Sequence, residues 1–120
     1  MKLLLNLFLL SYLNITYSFV LNGKYCGNIM GNTLDLDVNK TTQNANITAN
    51  IFGTDLNCPK EKFNLTDNNI YFSKNKSDCM NKILSDYGGC PCPPPAKYDS
   101  INNKILITNK ILGNIELSSC

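Results

Sequence analysis

The segment TLDLDVNKTTQNANITANIF, residues 33–52, decides the expected fold. In residues 33–38 every second residue is apolar, and the same alternation returns in residues 45–52. A repeat of two residues is typical of strands that bury one face and expose the other. The polar run between the two segments has the composition of a turn. The segment therefore predicts an antiparallel β-hairpin.

More strands are expected further along the chain: a second hairpin over 63–72, a third over 97–108 and a last strand over 111–117. Between the second and third hairpins the apolar residues take the spacing of one helix face, at Met80, Ile83, Leu84 and Tyr87. Hairpins with one helix predict an α+β domain. We expect a small disulfide-stapled antiparallel sheet, or a partly open barrel of hairpins, with one amphipathic helix at about 77–88.

The first 18 residues have the features of a secretory signal peptide. Lys2 precedes the apolar stretch 3–10, and Thr16 and Ser18 supply small residues before a cleavage point. The apolar stretch is too short for the roughly 30 Å of a membrane's hydrocarbon core. The expected organisation is a signal peptide at 1–18 and a single secreted, disulfide-rich domain at 19–120. Its destination is the cell exterior or the lumen of a secretory vesicle, with no membrane span after cleavage.

The expected domain keeps an even number of cysteines, which in an exported chain predicts three disulfides: Cys26, Cys58, Cys79, Cys90, Cys92 and Cys120. Cys90 and Cys92 lie in the segment GGCPCPPP, residues 88–95. Redox and zinc chemistry are not expected there, because the pair follows the predicted helix and the chain has no histidine. We expect each of the two to bond a different part of the fold and to hold a proline-stiffened loop.

This loop is the main candidate binding surface, and a purely structural connector is its alternative interpretation. Proline lowers the conformational entropy that a loop loses on binding. The predicted partner is another extracellular or surface protein, contacted through Pro91, Pro93, Pro94, Pro95, Lys97 and Tyr98.

Catalytic, metal and nucleic-acid functions find little support. The absence of histidine excludes a histidine-based triad. A carboxylate-based hydrolase without histidine is kept as a third hypothesis, and it would need a buried pair of carboxylates from Glu61, Glu116 and the aspartates. Residues 35–39 begin like a calcium loop but lack its later glycine and glutamate, and the lysines form no basic stripe. We therefore expect no enzyme, no catalytic residue, no metal or cofactor and no nucleic-acid partner.

Two further features bear on function. Glycosylation is predicted at the sequons that begin at Asn39, Asn46, Asn64 and Asn75. The stretch Asn22-Gly23-Lys24-Tyr25 resembles the Gly-x-aromatic start of small ligand-binding β-barrels such as avidin and the lipocalins. Tyr25 stands where those families usually carry tryptophan, and the predicted helix and the cysteines depart from their pattern, so no family is assigned.

The alternative function is that of a small β-barrel-like carrier of an apolar ligand. A continuous apolar cavity of roughly several hundred Å³ would favour this carrier, whereas a solid core would favour binding at the surface.

Overall fold

The computed structural model describes residues 18–73, 79–82, 95–109 and 113–120, and 68% of these residues lie in β-strands. Eight strands form one closed antiparallel barrel, in which each strand pairs with the next and the last pairs with the first. In chain order the strands are β1 Gly23–Ile29, β2 Asn32–Asn39, β3 Asn44–Ile51, β4 Thr54–Thr66, β5 Asn69–Phe72, β6 Ala96–Asp99, β7 Lys104–Asn109 and β8 Gly113–Ser119. Apolar side chains face inward from these strands, so the core lies along the barrel axis.

The three predicted hairpins are confirmed and supply most of the barrel wall. β2 pairs with β3 in the segment 33–52, β4 pairs with β5, and β6 pairs with β7. Leu36 and Val38 are buried while Asp37 between them is exposed, as the alternation requires. The predicted last strand corresponds to β8, and residues 110–112 lie outside the described residues.

The predicted α+β class is wrong, because the described part of the chain contains no helix of seven or more residues. Of the expected helix at about 77–88, only residues 79–82 are described, and they form a single helical turn. An open sheet needs another layer to cover its apolar face, whereas a closed barrel covers that face with its own wall. The pairing of β1 with β8 therefore removes the need for a helical layer, and it also corrects the expected partly open barrel.

The seam between β1 and β8 closes the barrel. Gly27 lies at a close approach of the two strands: a β-carbon there would lie 2.5 Å from Leu117 Cδ2 and 2.8 Å from the carbonyl oxygen of Glu116. Glycine, which has no β-carbon, is the residue that permits such an approach. A disulfide between Cys26 and Cys120 then links the two strands covalently across the seam.

β4 continues through a proline because a β-bulge interrupts its ladder at that point. Pro59 has no N–H to donate, and the register of pairing with β3 shifts there. Lys60 takes a φ of 54°, and its N–H donates to Asn46 Oδ1 at 2.9 Å. Since the bulge adds one residue, Cys58 and Glu61 are both buried although they lie three positions apart.

One end of the barrel is filled by a tyrosine cluster around a single amide, and we call it the closed end. The rings of Tyr25 and Tyr98 meet edge to face, with their centroids 6.3 Å apart. Both hydroxyls donate to Asn103 Oδ1, each at 2.7 Å. Burial raises the pKa of the Tyr98 hydroxyl above its ordinary value. The closed end therefore combines aromatic packing with satisfied buried polar groups.

The predicted signal peptide lies outside the described residues, apart from its last residue, 18. Within the described part of the chain, no helix is both long and apolar enough to cross a membrane. The two disulfides are consistent with an extracellular or otherwise oxidising compartment.

Candidate binding site at the open end of the barrel

The barrel interior is incompletely filled at the end opposite the tyrosine cluster. Antiparallel order brings the β1–β2 turn, residues 30–31, and the β3–β4 turn, residues 52–53, to this open end. A cavity of about 120 Å³ lies there, and we call it the open-end cavity. Every strand contributes to its lining, which is almost entirely apolar and includes Ile29, Ile47, Ile51, Leu56, Ile107 and Ile115.

The cavity exists because small residues occupy inward-facing positions at this level. Gly27, Ala49 and Ala96 line it, whereas the closed end places two tyrosines inside the barrel. The interior of an eight-stranded barrel is just wide enough for side chains to fill, or for one small ligand to occupy. Ala49 and Ala96 therefore leave volume that a guest molecule can take, whereas Leu117 and the Glu116 carbonyl fill the space beside Gly27.

A helical turn at residues 79–82 completes the cavity lining on one side. β5 has only four residues and pairs with the last part of β4, from Phe63 to Thr66. The first part of β4 therefore pairs with β3 along one edge and with no described strand along the other. The turn is attached to this part of β4: Cys79 is bonded to Cys58, and the Met80 N–H donates to Glu61 Oε1 at 3.3 Å. Met80 consequently packs against the core and lines the cavity.

The disulfides fix both the seam and the helical turn. The Cys58–Cys79 bond spans a sequence separation of 21 residues. In the chain-entropy model, a loop of this length stabilises the folded protein by about 3 kcal/mol. With Cys26 and Cys120 also paired, Cys90 and Cys92 have only each other as partners within this chain. Both lie outside the described residues. Two bonds from their segment to two other parts of the chain, as the sequence suggested, are incompatible with this pairing.

The carboxylates do not form the pair that hydrolysis requires. Among the described residues Glu61 is the one buried carboxylate, at 6% exposure. Glu116 is exposed on β8 in an ion pair with Lys104, and this hydrogen bond raises the pKa of Lys104. Asp99 ends β6, where hydrogen bonds from the side chain and N–H of Asn102 lower its pKa. In the described part of the chain, no second buried carboxylate therefore approaches Glu61.

Three potential metal ligands do lie together, since the ligand atoms of Cys58, Glu61 and Cys79 are within 4.8 Å of one another. The two sulfurs are bonded to each other, and thiolates rather than disulfides ligate metals. In its oxidised form this cluster therefore offers a metal a single carboxylate.

The residues of the predicted binding loop separate into three groups. Pro95 and Lys97 are exposed, just before and on the outer face of β6. Tyr98 points into the closed end with 4% exposure, so it offers no surface to a partner. The remaining predicted contacts lie outside the described residues: Pro91, Pro93 and Pro94.

The described sequon asparagines are all exposed. Asn39 ends β2 and accepts N–H bonds from the following turn, while Asn46 lies on β3 and Asn64 on β4. Asn75 lies outside the described residues. These exposed positions fit carbohydrate attachment, and glycosylation stays a prediction.

The sequence did not identify the three small residues that line the cavity. The inward position of Ala49 is visible in the alternation of β3, but Gly27 has the spacing of a turn residue and Ala96 follows a proline run. Nothing in the sequence shows that these three positions reach the same level of one barrel.

No protein-family model, curated protein or solved structure matches this chain. Its architecture, eight antiparallel strands closed in sequence order, is one that lipocalins and streptavidin also adopt. Architecture does not assign function, which depends on the residues of a particular site.

Proposed function

We propose that the protein is a non-enzymatic carrier that binds a small apolar molecule in the open-end cavity. The observation that carries the proposal is an apolar volume of about 120 Å³ inside a closed barrel. No charged residue is among the described residues that line it, so an apolar guest displaces water without desolvating a charge.

The cavity volume limits the size of the enclosed group. About 120 Å³ is less than the several hundred Å³ typical of pockets for drug-sized ligands. A cavity of roughly 150 Å³ lined by aliphatic and aromatic side chains binds benzene. The expected guest therefore has about the size of benzene. A larger molecule could also bind if one of its ends lies in the cavity and the rest extends past Asn32 and Thr33 at the rim.

The expected affinity is modest. Small ligands gain a binding free energy of about 0.8 kcal/mol per enclosed heavy atom, so about six enclosed atoms give ~5 kcal/mol. This corresponds to a dissociation constant of roughly 0.2 mM.

We also propose that the carrier works outside the cell, as the predicted signal peptide implies. The paired cysteines support this location, because structural disulfides persist in oxidising compartments. A protein partner contacted through residues 90–98 stays a prediction, with exposed Pro95 and Lys97 as its described contacts.

Fluorobenzene binding to the oxidised chain tests the proposed function. Fluorine NMR of the ligand should show saturable line broadening, with a dissociation constant of about 0.2 mM. The variant Ala49→Leu fills the cavity from an inward-facing position and should abolish the broadening.

Thr48→Leu is the matched control, because it adds leucine at the neighbouring, outward-facing position of β3. It should bind fluorobenzene like the parent. Absence of binding by the parent, or equal binding by the Ala49→Leu variant, would refute the proposed site.

A further inference from the structure

Two large apolar side chains stand exposed at the tips of turns beside the open-end cavity. Met30, in the β1–β2 turn, is 97% exposed, and Phe52, in the β3–β4 turn, is 67% exposed. The turns are neighbours, since Asn32 Oδ1 accepts the N–H of Phe52 at 2.8 Å. Neither side chain lines the cavity itself, so the two tips flank its entrance.

The backbone at these tips favours other residues. Met30 and Phe52 have φ values of 50° and 51°, and each precedes a glycine of positive φ. Two-residue hairpin turns of this kind are type I′, which prefers asparagine, aspartate or glycine at the first position. The comparable turn at the closed end does use Asp67 and Asn68. Among the described residues, large apolar side chains take this disfavoured conformation only at the open end, which indicates a role for them beyond turn formation.

We propose that Met30 and Phe52 insert into the surface of a lipid bilayer, so that the open end of the barrel faces the membrane from which the cavity takes its ligand. The ligand part of this inference rests on the proposed function, whereas the docking part rests on the two turns. Apolar molecules partition from water into bilayers. A carrier whose entrance lies against the bilayer receives such a molecule without exposing it to water.

The sequence of the two turns favours a neutral lipid surface. Residues 28–33 and 50–54 carry no charge. The next residue, Asp55, accepts a hydrogen bond from Asn50 Nδ2 at 2.8 Å. Attraction to anionic headgroups needs clustered lysine or arginine, which these turns lack. Binding should therefore occur on zwitterionic vesicles and should change little with salt.

Co-sedimentation of the oxidised full chain with phosphatidylcholine vesicles tests the docking. The double variant Met30→Asn/Phe52→Asn removes both apolar tips and introduces the residue that type I′ turns prefer, so the barrel is retained. Its partition coefficient should fall at least about tenfold, because two large side chains no longer leave water.

Ile101→Asn is the matched control. Ile101 is 61% exposed in the β6–β7 turn, so this variant removes an exposed apolar side chain at the closed end. Its vesicle binding should stay within about twofold of the parent's, as expected for a residue that does not meet the bilayer. Equal binding by the double variant, or an equal loss with Ile101→Asn, would overturn the inference.

Fluorobenzene binding and sedimentation velocity on the same proteins separate the remaining outcomes. If fluorobenzene binds but the parent does not bind vesicles, the docking inference fails and the proposed function stands. If the parent forms a dimer that the double variant does not, and binds no vesicles, the tips contact a second copy and the inference is overturned. Vesicle binding that depends on the tips, without fluorobenzene binding, supports the docking and refutes the proposed function.

Discussion

Replacing Gly27 by alanine tests the closure of the barrel at its seam. The added β-carbon would lie 2.5 Å from Leu117 Cδ2 and 2.8 Å from the carbonyl oxygen of Glu116, separations that β-carbons almost never show. The leucine methyl group can move by a change of rotamer. The carbonyl oxygen belongs to the backbone of β8, which the seam and the Cys26–Cys120 disulfide hold beside β1. The variant must therefore push the two strands apart.

The net cost follows from two opposing effects. Inserting a carbon into a tightly packed site costs about 1–3 kcal/mol. Alanine also restricts the unfolded chain more than glycine, which returns about 0.4–1 kcal/mol where the native backbone is compatible. We therefore expect the Gly27→Ala chain to be less stable by about 1–2 kcal/mol. The sign of this change in stability is diagnostic, because the same substitution on an open, uncrowded strand would increase stability.

Urea unfolding of the oxidised chain measures this difference. With a slope of about 2 kcal/mol per molar urea, the midpoint should fall by about 0.5–1 M. Lys24→Ala, which changes an exposed side chain of β1, is the control and should shift stability by less than about 0.5 kcal/mol. A Gly27→Ala chain as stable as the parent would show that β1 and β8 do not close the barrel as described.

Three further predictions concern the two ends of the barrel. Asn103→Ala removes the acceptor of two buried tyrosine hydroxyls and should cost about 2–4 kcal/mol in urea unfolding; a loss below about 1 kcal/mol would contradict the closed-end network. Folding lowers the pKa of Asp99, so its carboxylate stabilises the native state above its ordinary pKa, and this contribution disappears as the pH falls through the lowered value. The stability difference between the parent and Asp99→Ala should therefore shrink in acid, whereas a pH-independent difference would contradict the assignment. The double variant Cys58→Ala/Cys79→Ala removes the bond that holds the turn with Met80, and its free energy of unfolding should be lower by about 3 kcal/mol. An unchanged free energy of unfolding would show that the native protein lacks this bond.

The hairpins could be predicted from the sequence because their information is local. The alternation around Leu36 and Ile47 sets which face each strand buries, and the polar residues between the segments set the turn. The closure could not be predicted, because it joins β1 to β8 across almost the whole chain. β1 also shows little alternation, since Gly27 takes an inward position that an apolar side chain would otherwise mark.

The expected class was wrong for a related reason. The apolar spacing after Ser77 has the period of a helix, and period alone does not show whether an open sheet needs a helical cover. The cavity could not be predicted from the sequence, because only the register of the closed barrel brings Ala49 and Ala96 to the same cavity. The exposed tips carry a weak signal that can be found in the sequence: Met30-Gly31 and Phe52-Gly53 stand where Asn-Gly is usual.

Anomalous diffraction from crystals of the oxidised protein exposed to bromobenzene tests most directly whether the open-end cavity binds an apolar ligand. We predict one bromine peak inside the open end of the barrel, bordered by Ala49, Met80 and Ala96. Side chains filling that volume, or bromine peaks confined to the outer surface, would contradict it.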